Sequence, residues 1–169
     1  EARSEQEHSR VVSLLSLKGG VGVTTLATNL ASTLVRREMG KVCLLDLSVS
    51  SGHAALHFGH RPQPDWSSLF MTDGLNEEQV KRLCIRPASD LCLLASPIVP
   101  LIAHSLNRTR VSELIKMLRS HFDTVIVDTP SILNEAMMAT LDSSTDSWLV
   151  VASNPASIQT AFGTIQALE

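Results

Sequence analysis

The stretch Ser16–Thr25, with the sequence SLKGGVGVTT, decides how the rest of the chain is interpreted. It follows the apolar run Val11–Leu15 and precedes the amphipathic segment Leu26–Glu38, so the order is strand, glycine-rich loop and helix. Glycines let successive backbone N–H groups point at one anion, and the helix adds the positive end of its dipole. A turn that only packs a helix against a sheet needs fewer glycines and no Thr24–Thr25 pair, so we predict a phosphate-binding loop.

This loop departs from the usual nucleotide-binding pattern G-x-x-x-x-G-K-[ST]. The pattern has glycine at position 17 and lysine at position 23, where this chain has Leu17 and Val23. A lysine at position 23 would place a cation on the β- and γ-phosphates, which valine cannot do. A different lysine, Lys18, precedes the double glycine, and Thr24 has the hydroxyl that binds the Mg²⁺ of a nucleotide.

Length and composition indicate one ordinary globular domain. The 169 residues suffice to bury a core, and 44% apolar with 18% charged residues is typical of α/β proteins. A formal net charge of −3 argues against a dominant nucleic-acid-binding surface. No apolar run reaches the length of a membrane span, so we expect a cytoplasmic protein without a membrane segment. Residues 1–10 are polar and predict a linker or tail before a domain at residues 11–169.

The order of elements predicts an α/β fold. Five strand-like runs alternate with amphipathic helical segments: Val11–Leu17, Lys41–Asp46, Asp90–Ala95, Phe122–Pro130 and Ser147–Ala152. Runs that are apolar nearly throughout are typical of parallel strands covered on both faces. We predict a three-layer α/β/α sandwich with a mostly parallel sheet of about five strands and right-handed crossovers.

Two of these runs end in a carboxylate. Asp46 ends the second run, and Asp128 follows Val125–Val127 in a Walker B pattern. The carboxyl ends of parallel strands open into the ligand crevice of such a sheet. We therefore predict a magnesium site made of Thr24, Asp128 and Asp46, with Asp128 acting through a bound water.

Histidines and cysteines offer weaker patterns. His53 and His57 are four residues apart, as zinc ligands on a helix are, and His60 follows. Because no acid or cysteine joins them at a useful spacing, we interpret them as surface histidines. The three cysteines, Cys43, Cys84 and Cys92, lack metal or C-x-x-C spacing and are predicted to be buried, reduced thiols.

Three motifs together resemble the MinD/ParA family of dimeric ATPases. The loop matches that family's deviant pattern K-G-G-V-G-x-[ST]-T, Asp128-Thr129-Pro130 resembles its second switch, and Ser153-Asn154-Pro155 resembles its T-N-P turn. The match spans residues 11 to 168. The resemblance implies a P-loop fold, ATP and Mg²⁺ as cofactors, and a homodimer in which Lys18 reaches the partner's nucleotide. It implies nucleotide contacts from Lys18, Gly19, Gly20, Val21, Gly22, Val23, Thr24, Thr25 and Asn154.

The catalytic positions depart from this family. Asp46 matches the first acid of the family's D-x-D switch, whereas Ser48 replaces the second acid, which orients the attacking water. Val23 replaces the lysine inside the loop. The resemblance therefore implies weak or absent hydrolysis, with Lys18 and Asp46 as the remaining catalytic candidates. The family continues with a further strand and helices, so it also implies a domain truncated at its C-terminal end.

A finer pattern resembles the TadZ/CpaE group. It combines the loop with a non-lysine at position 23, the strand L-L-D-L and the helix pattern G-x-x-A-L-x-[FL]. That group localises type IVb (Flp/tad) pilus or secretion assemblies, which implies protein partners and a polar or membrane-associated position reached through them. Two alternatives remain open: an active ATPase of partition or division-site placement in which Lys18 takes both lysine roles, and a nucleotide-free interaction scaffold.

Overall fold

The computed structural model describes residues 9–49, 52–71, 74–99 and 106–168. The strands in these ranges are β1 (Arg10–Leu15), β2 (Val42–Asp46), β3 (Ile85–Ala88), β4 (Leu91–Leu94), β5 (Thr124–Asp128) and β6 (Asp146–Leu149). The α-helices are α1 (Val23–Arg36), α2 (Ala54–His57), α3 (Glu77–Leu83), α4 (Arg108–Arg119), α5 (Glu135–Ser143) and α6 (Pro155–Leu168), and a 3₁₀ helix spans Trp66–Phe70. Within these ranges, the helices lack the combined length and apolarity needed to cross a bilayer.

The strands form one sheet in the order β3-β4-β2-β5-β1-β6. All neighbouring pairs are parallel except β3 with β4, which is antiparallel and lies at one edge. This confirms the predicted mostly parallel α/β sheet and adds a sixth strand to the five that were predicted. The sequence Ile85-Arg86-Pro87-Ala88 gives little strand signal because proline cannot donate to a ladder, and an edge position tolerates it.

Helices cover both faces of the sheet, and successive residues of a strand pack against helices on opposite faces. Leu45 and Val125 pack in one buried cluster with residues of α3, α4 and α5, whereas Leu44 and Ile126 pack in a second cluster with α1 and α2. Both faces of the central strands are therefore buried, which explains their continuous apolar sequences. The predicted three-layer arrangement is confirmed.

Asparagine side chains cap the starts of α3 and α4. Asn76 precedes α3, and its side chain accepts a hydrogen bond from Glu78 N. Asn107 precedes α4 in the same way, and its side-chain oxygen accepts a hydrogen bond from Arg110 N at 2.9 Å.

The prediction of three reduced thiols is wrong for two of them. Cys84 follows α3 and Cys92 lies in β4, and a disulfide joins them across Cα atoms 5.4 Å apart. The antiparallel strand β3 between them brings the two together, a proximity that their spacing of eight residues does not reveal. Cys43 in β2 is free and buried, and this burial raises the pKa of its thiol far above the ordinary value.

Candidate functional site

A cleft of roughly 400 Å³ lies where β1 ends and α1 begins. The loop side is lined by Ser16, Lys18, Gly19, Gly20, Gly22, Val23, Thr24 and Thr25. The other side is lined by Ser48, Gly52, His53, His57, Asp128, Thr129, Pro130 and Ser131. The structure thus brings most of the predicted loop residues and Asp128 together, as expected for an open parallel sheet. Val21, Asp46 and Asn154, predicted as site residues, are outside this lining.

The first turn of α1 offers free donors to the cleft. Gly22 precedes the helix at φ 98°, and in the described residues no side chain caps this end. Gly20 also has a positive φ, 79°, and a Cβ added at either glycine would meet no atom within 4 Å. No described atom therefore blocks the loop at Gly20 and Gly22, next to the first backbone N–H groups of α1, which have no capping side chain. A phosphate group fits this arrangement of donors and dipole.

Thr24 and Asp128 form the oxygen-rich part of the cleft. The Thr24 hydroxyl donates a hydrogen bond to the Asp128 carboxyl, which links the loop to the end of β5. Burial raises the pKa of Asp128 to about 7, with a further contribution from the charge of Asp46, while the Thr24 bond lowers it. A hydroxyl and a carboxylate are hard oxygen ligands of the kind Mg²⁺ prefers, so this pair fits a magnesium ion.

Asp46 is held away from the cleft by backbone contacts. Only 1% of its surface is exposed, and its Oδ1 and Oδ2 accept from Ser48 N at 3.1 Å and Ala54 N at 3.2 Å. The Ser96 hydroxyl also donates to this carboxyl. Burial raises the pKa of Asp46, while these hydrogen bonds and the nearby His53 lower it. These contacts fix both sides of the segment that follows β2.

The backbone carbonyl of Asp46 is held as well. It accepts a hydrogen bond from Trp66 Nε1 at 2.5 Å, and Trp66 is fully buried in the core. Gly52, at the far side of the same segment, donates its N–H to Ser96 Oγ at 2.7 Å. The described contacts of Asp46 therefore organise the backbone at the mouth of the cleft, and its predicted catalytic and magnesium-binding roles stay predictions.

Lys18 is half-buried and folds back onto its own chain. Its Nζ donates to Asn154 Oδ1 at 3.0 Å. The same oxygen accepts from Ser157 N at 3.0 Å, so Asn154 also holds the first turn of α6. Asn154 thus reaches the cleft indirectly, through the lysine that lines it. The predicted reach of Lys18 toward a second subunit stays a prediction.

Several lining residues were not singled out as ligand contacts from the sequence. Ser131 follows the Asp128-Thr129-Pro130 motif directly, so its nearness to that motif was a usable signal. His53 and His57 are exposed, as interpreted, and they also line the cleft. In the described ranges, no cluster of three metal-ligating side chains includes them. Their position shortly after β2, just beyond Asp46 and Ser48 at the D-x-D positions, was the signal that could have marked them as ligand-facing.

A second cavity of roughly 310 Å³ lies at the opposite ends of the strands. Its lining includes Lys41 and Phe122, which come shortly before β2 and β5, and it lacks residues of the glycine loop. Glu77 in this cavity pairs with Lys81 and, at 2.8 Å, with His121 Nε2. The Glu77 carboxylate is therefore already paired within this cavity.

The chain is similar to known proteins in sequence and in fold. A family model described as an AAA domain matches residues 9–166. A MinD septum site-determining protein of Emiliania huxleyi is 25% identical over 162 residues, which covers 95% of this chain and 58% of that protein. The structure of a ParA family ATPase from Chlorobium tepidum has a TM-score of 0.83 at 23% identity, covering 95% of this chain and 67% of that one.

A further solved structure carries a ligand. The septum site-determining protein MinD of Pyrococcus horikoshii, complexed with Mg-ADP, has a TM-score of 0.75 at 20% identity and covers 95% of this chain and 65% of that one. At these identities the two structures show a shared fold. The chain spans 58% of the length of the Emiliania huxleyi relative.

Proposed function

The chain belongs to the AAA-domain family, among P-loop ATPases of the MinD and ParA type, and from this premise we propose that it is an ATP-binding switch with weak or absent hydrolysis. The observation that carries the proposal is the uncapped first turn of α1, which faces the same cleft as the hydrogen-bonded pair Thr24 and Asp128. This combination places hydrogen-bond donors for phosphate next to oxygen ligands for Mg²⁺.

Each part of the site would have a separate binding role. The N–H groups of Gly19, Gly20, Gly22 and the first turn of α1 would hold the phosphates. Thr24 would bind Mg²⁺ directly, and Asp128 would support it. When bound, Mg²⁺ supplies positive charge to the phosphate oxygens. Asp128 has to release its proton for this role, because its carboxyl has a pKa of about 7 without the ion.

Weak hydrolysis is expected because two catalytic groups are replaced. Val23 lines the cleft at the position where the usual loop has a lysine, and its side chain carries no charge. Ser48 lines the cleft where the related D-x-D motif has its second acid. An electrostatic contribution to the transition state is typically about 3 kcal/mol, so turnover should fall by a factor of about a hundred or more.

A dimer would give Lys18 a second partner. In the single chain its ammonium group donates one hydrogen bond to the side chain of Asn154, which is an exposed residue. If Lys18 left this neutral acceptor for a phosphate of the nucleotide bound by a second copy, a charge-assisted hydrogen bond would replace a weaker one. We therefore include nucleotide-dependent homodimerisation across the cleft in the proposal.

The cellular role that we propose is localisation of a type IVb (Flp/tad) pilus or secretion assembly. It is supported by the TadZ/CpaE-like pattern of Val23, the L-L-D-L strand and the helix around Ala55–Phe58. Loss of the protein from its own cell should then leave such pili absent or misplaced. Normal pili in number and position would contradict this role without affecting the nucleotide proposal.

An active ATPase of partition or division-site placement is the second candidate. The observation in its favour is that Lys18 lines the cleft and could act on the phosphates in place of a lysine at position 23. Magnesium-dependent phosphate release that Lys18→Ala abolishes would support it.

A hydrolysis assay distinguishes these functions. Phosphate release from MgATP is measured for the native chain, Val23→Lys and Val23→Ile, the last as an uncharged control. The switch proposal predicts slow or undetectable release by the native chain and Val23→Ile, with a gain for Val23→Lys. Fast release by the native chain would contradict it. Absence of any thermal shift with MgATP would instead indicate the nucleotide-free scaffold, since a ligand at a hundred times its Kd stabilises by about 2.7 kcal/mol.

A further inference from the structure

Two histidines line the cleft from α2. His53 immediately precedes this helix and His57 is its last residue, and both line the cleft together with Lys18 and Asp128. Both histidines therefore lie at the cleft that we assign to nucleotide.

The backbone that carries these imidazoles is fixed. Ala54 and Ala55 are buried and belong to the same apolar cluster as Ala27 and Ala31 of α1. Ala54 N also donates to Asp46 Oδ2 at 3.2 Å, which ties the start of α2 to the end of β2. The histidines thus project from a short helix that is packed on α1, the helix whose first turn borders the cleft.

The imidazoles are available for a ligand. In the part of the chain that the structure describes, neither ring makes a hydrogen bond, although His53 is close enough to Asp46 to interact with its charge. Among the lining residues, Lys18, His53 and His57 are the side chains that can be positively charged. Lys18 already donates to Asn154, so among the lining side chains that can carry a positive charge, His53 and His57 are the ones without a described hydrogen bond.

We propose that His53 and His57 donate hydrogen bonds to the terminal phosphate of a bound nucleoside triphosphate, in place of the lysine that Val23 replaces. This inference rests on the function proposed above. An imidazole has an N–H group in either protonation state, so it can donate to a phosphate oxygen in both. The contact gives the cleft a way to distinguish a triphosphate from a diphosphate without a lysine in the loop.

The test is the affinity for MgATP and MgADP of the native chain, His53→Ala, His57→Ala and the double variant. His60→Ala is the matched control, because His60 lies just beyond α2, is exposed and is outside the cleft lining. We expect the Kd for MgATP to rise about tenfold in the double variant and the Kd for MgADP to change by less than about twofold. His57→Lys should retain or tighten MgATP binding, since it gives the cleft a lysine in place of the one that the loop lacks at position 23.

The outcomes separate the two proposals. If the native chain binds neither nucleotide, the proposed function fails. If it binds both and the double variant keeps native affinity for MgATP, the histidine assignment is overturned while the proposed function stands. An equal loss of MgATP and MgADP affinity would overturn the assignment to the terminal phosphate. Unchanged thermal unfolding of the nucleotide-free variants would show that any loss is not caused by misfolding.

Discussion

Asp46 and Asp128 occupy the same register position on the neighbouring parallel strands β2 and β5, yet their carboxyl groups make different contacts. Asp128 lines the cleft and accepts a hydrogen bond from Thr24. Asp46 accepts from backbone N–H groups on both sides of the segment after β2. One carboxylate is thus placed to meet a ligand, and the other holds the backbone that surrounds it.

The raised pKa of Asp128 predicts a pH-dependent stability. The folded carboxyl titrates near pH 7, while in the unfolded chain it titrates near 3.8, so the folded state binds more protons between these values. The free energy of unfolding should therefore fall as pH rises through this window, by about 1.4 kcal/mol per unit and about 4 kcal/mol in all. Urea unfolding of the nucleotide-free protein between pH 5 and pH 8 measures the upper part of this change, about 3 kcal/mol.

Asp128→Asn isolates the contribution of this carboxyl. The variant has no proton to lose, so its stability should vary less with pH, and at pH 8 it should exceed that of the native chain. Its MgATP affinity should nevertheless fall, since the amide is a weaker magnesium ligand. Parallel stability curves for the two proteins would contradict the assigned pKa.

Gly52 should not tolerate a side chain. A Cβ at this position would overlap the Ser96 hydroxyl and the Asp46 carboxyl, and the bond from Gly52 N to Ser96 Oγ would be disturbed. We expect Gly52→Ala to lower the free energy of unfolding by about 2 kcal/mol. It should also weaken nucleotide binding, because the segment that carries His53 would move.

Gly163→Ala is the control for this substitution. Gly163 lies inside α6, and a Cβ there would meet nothing within 4 Å. Alanine should stabilise the helix by about 0.5–1 kcal/mol. Thermal or urea unfolding measures both variants, and equal effects of the two changes would show that Gly52 is not held as tightly as the contacts indicate.

The contact of Lys18 with Asn154 predicts control of dimerisation. Asn154→Asp keeps an acceptor for Ser157 N and adds a charge beside the lysine, so Lys18 should be held more firmly in its own chain. We expect fewer dimers with MgATP, measured by sedimentation. The effect should shrink at high salt, because residue 154 is exposed and Lys18 is only half-buried.

Ser153→Asp is the matched control for this charge. It adds the same carboxylate one residue earlier, at an exposed position that makes no described contact with Lys18. Its dimerisation should resemble that of the native chain. If Asn154→Asp dimerises as readily as Ser153→Asp, Lys18 does not need to leave Asn154.

The sheet could be predicted because its signals are local. The apolar runs that end at Asp46 and Asp128, and the glycines before Thr24, show the central strands and the loop in the sequence itself. Features that depend on distant segments were missed. The bridge between Cys84 and Cys92 depends on how β3 turns back, a contact that spacing along the chain does not encode.

The cleft shows the same division between local and distant signals. The residues of the loop were predicted from their order alone. The inward burial of Asp46 depends on Trp66 and Ser96, which come 20 and 50 residues later and give no motif. The position of His53 and His57 depends on how α2 packs against α1, so the sequence predicted surface histidines and did not reveal that both line the cleft.

The most direct test of the central claim is a calorimetric titration of ATP into the native chain, with and without Mg²⁺. Thr24→Ala and Thr33→Ala are titrated beside it, since Thr33 lies in the same helix far from the cleft lining. The account predicts saturable binding to one site per chain, tightened by Mg²⁺, with the magnesium effect lost in Thr24→Ala and kept in Thr33→Ala. Absence of binding by the native chain, or a magnesium effect that survives in Thr24→Ala, would contradict it.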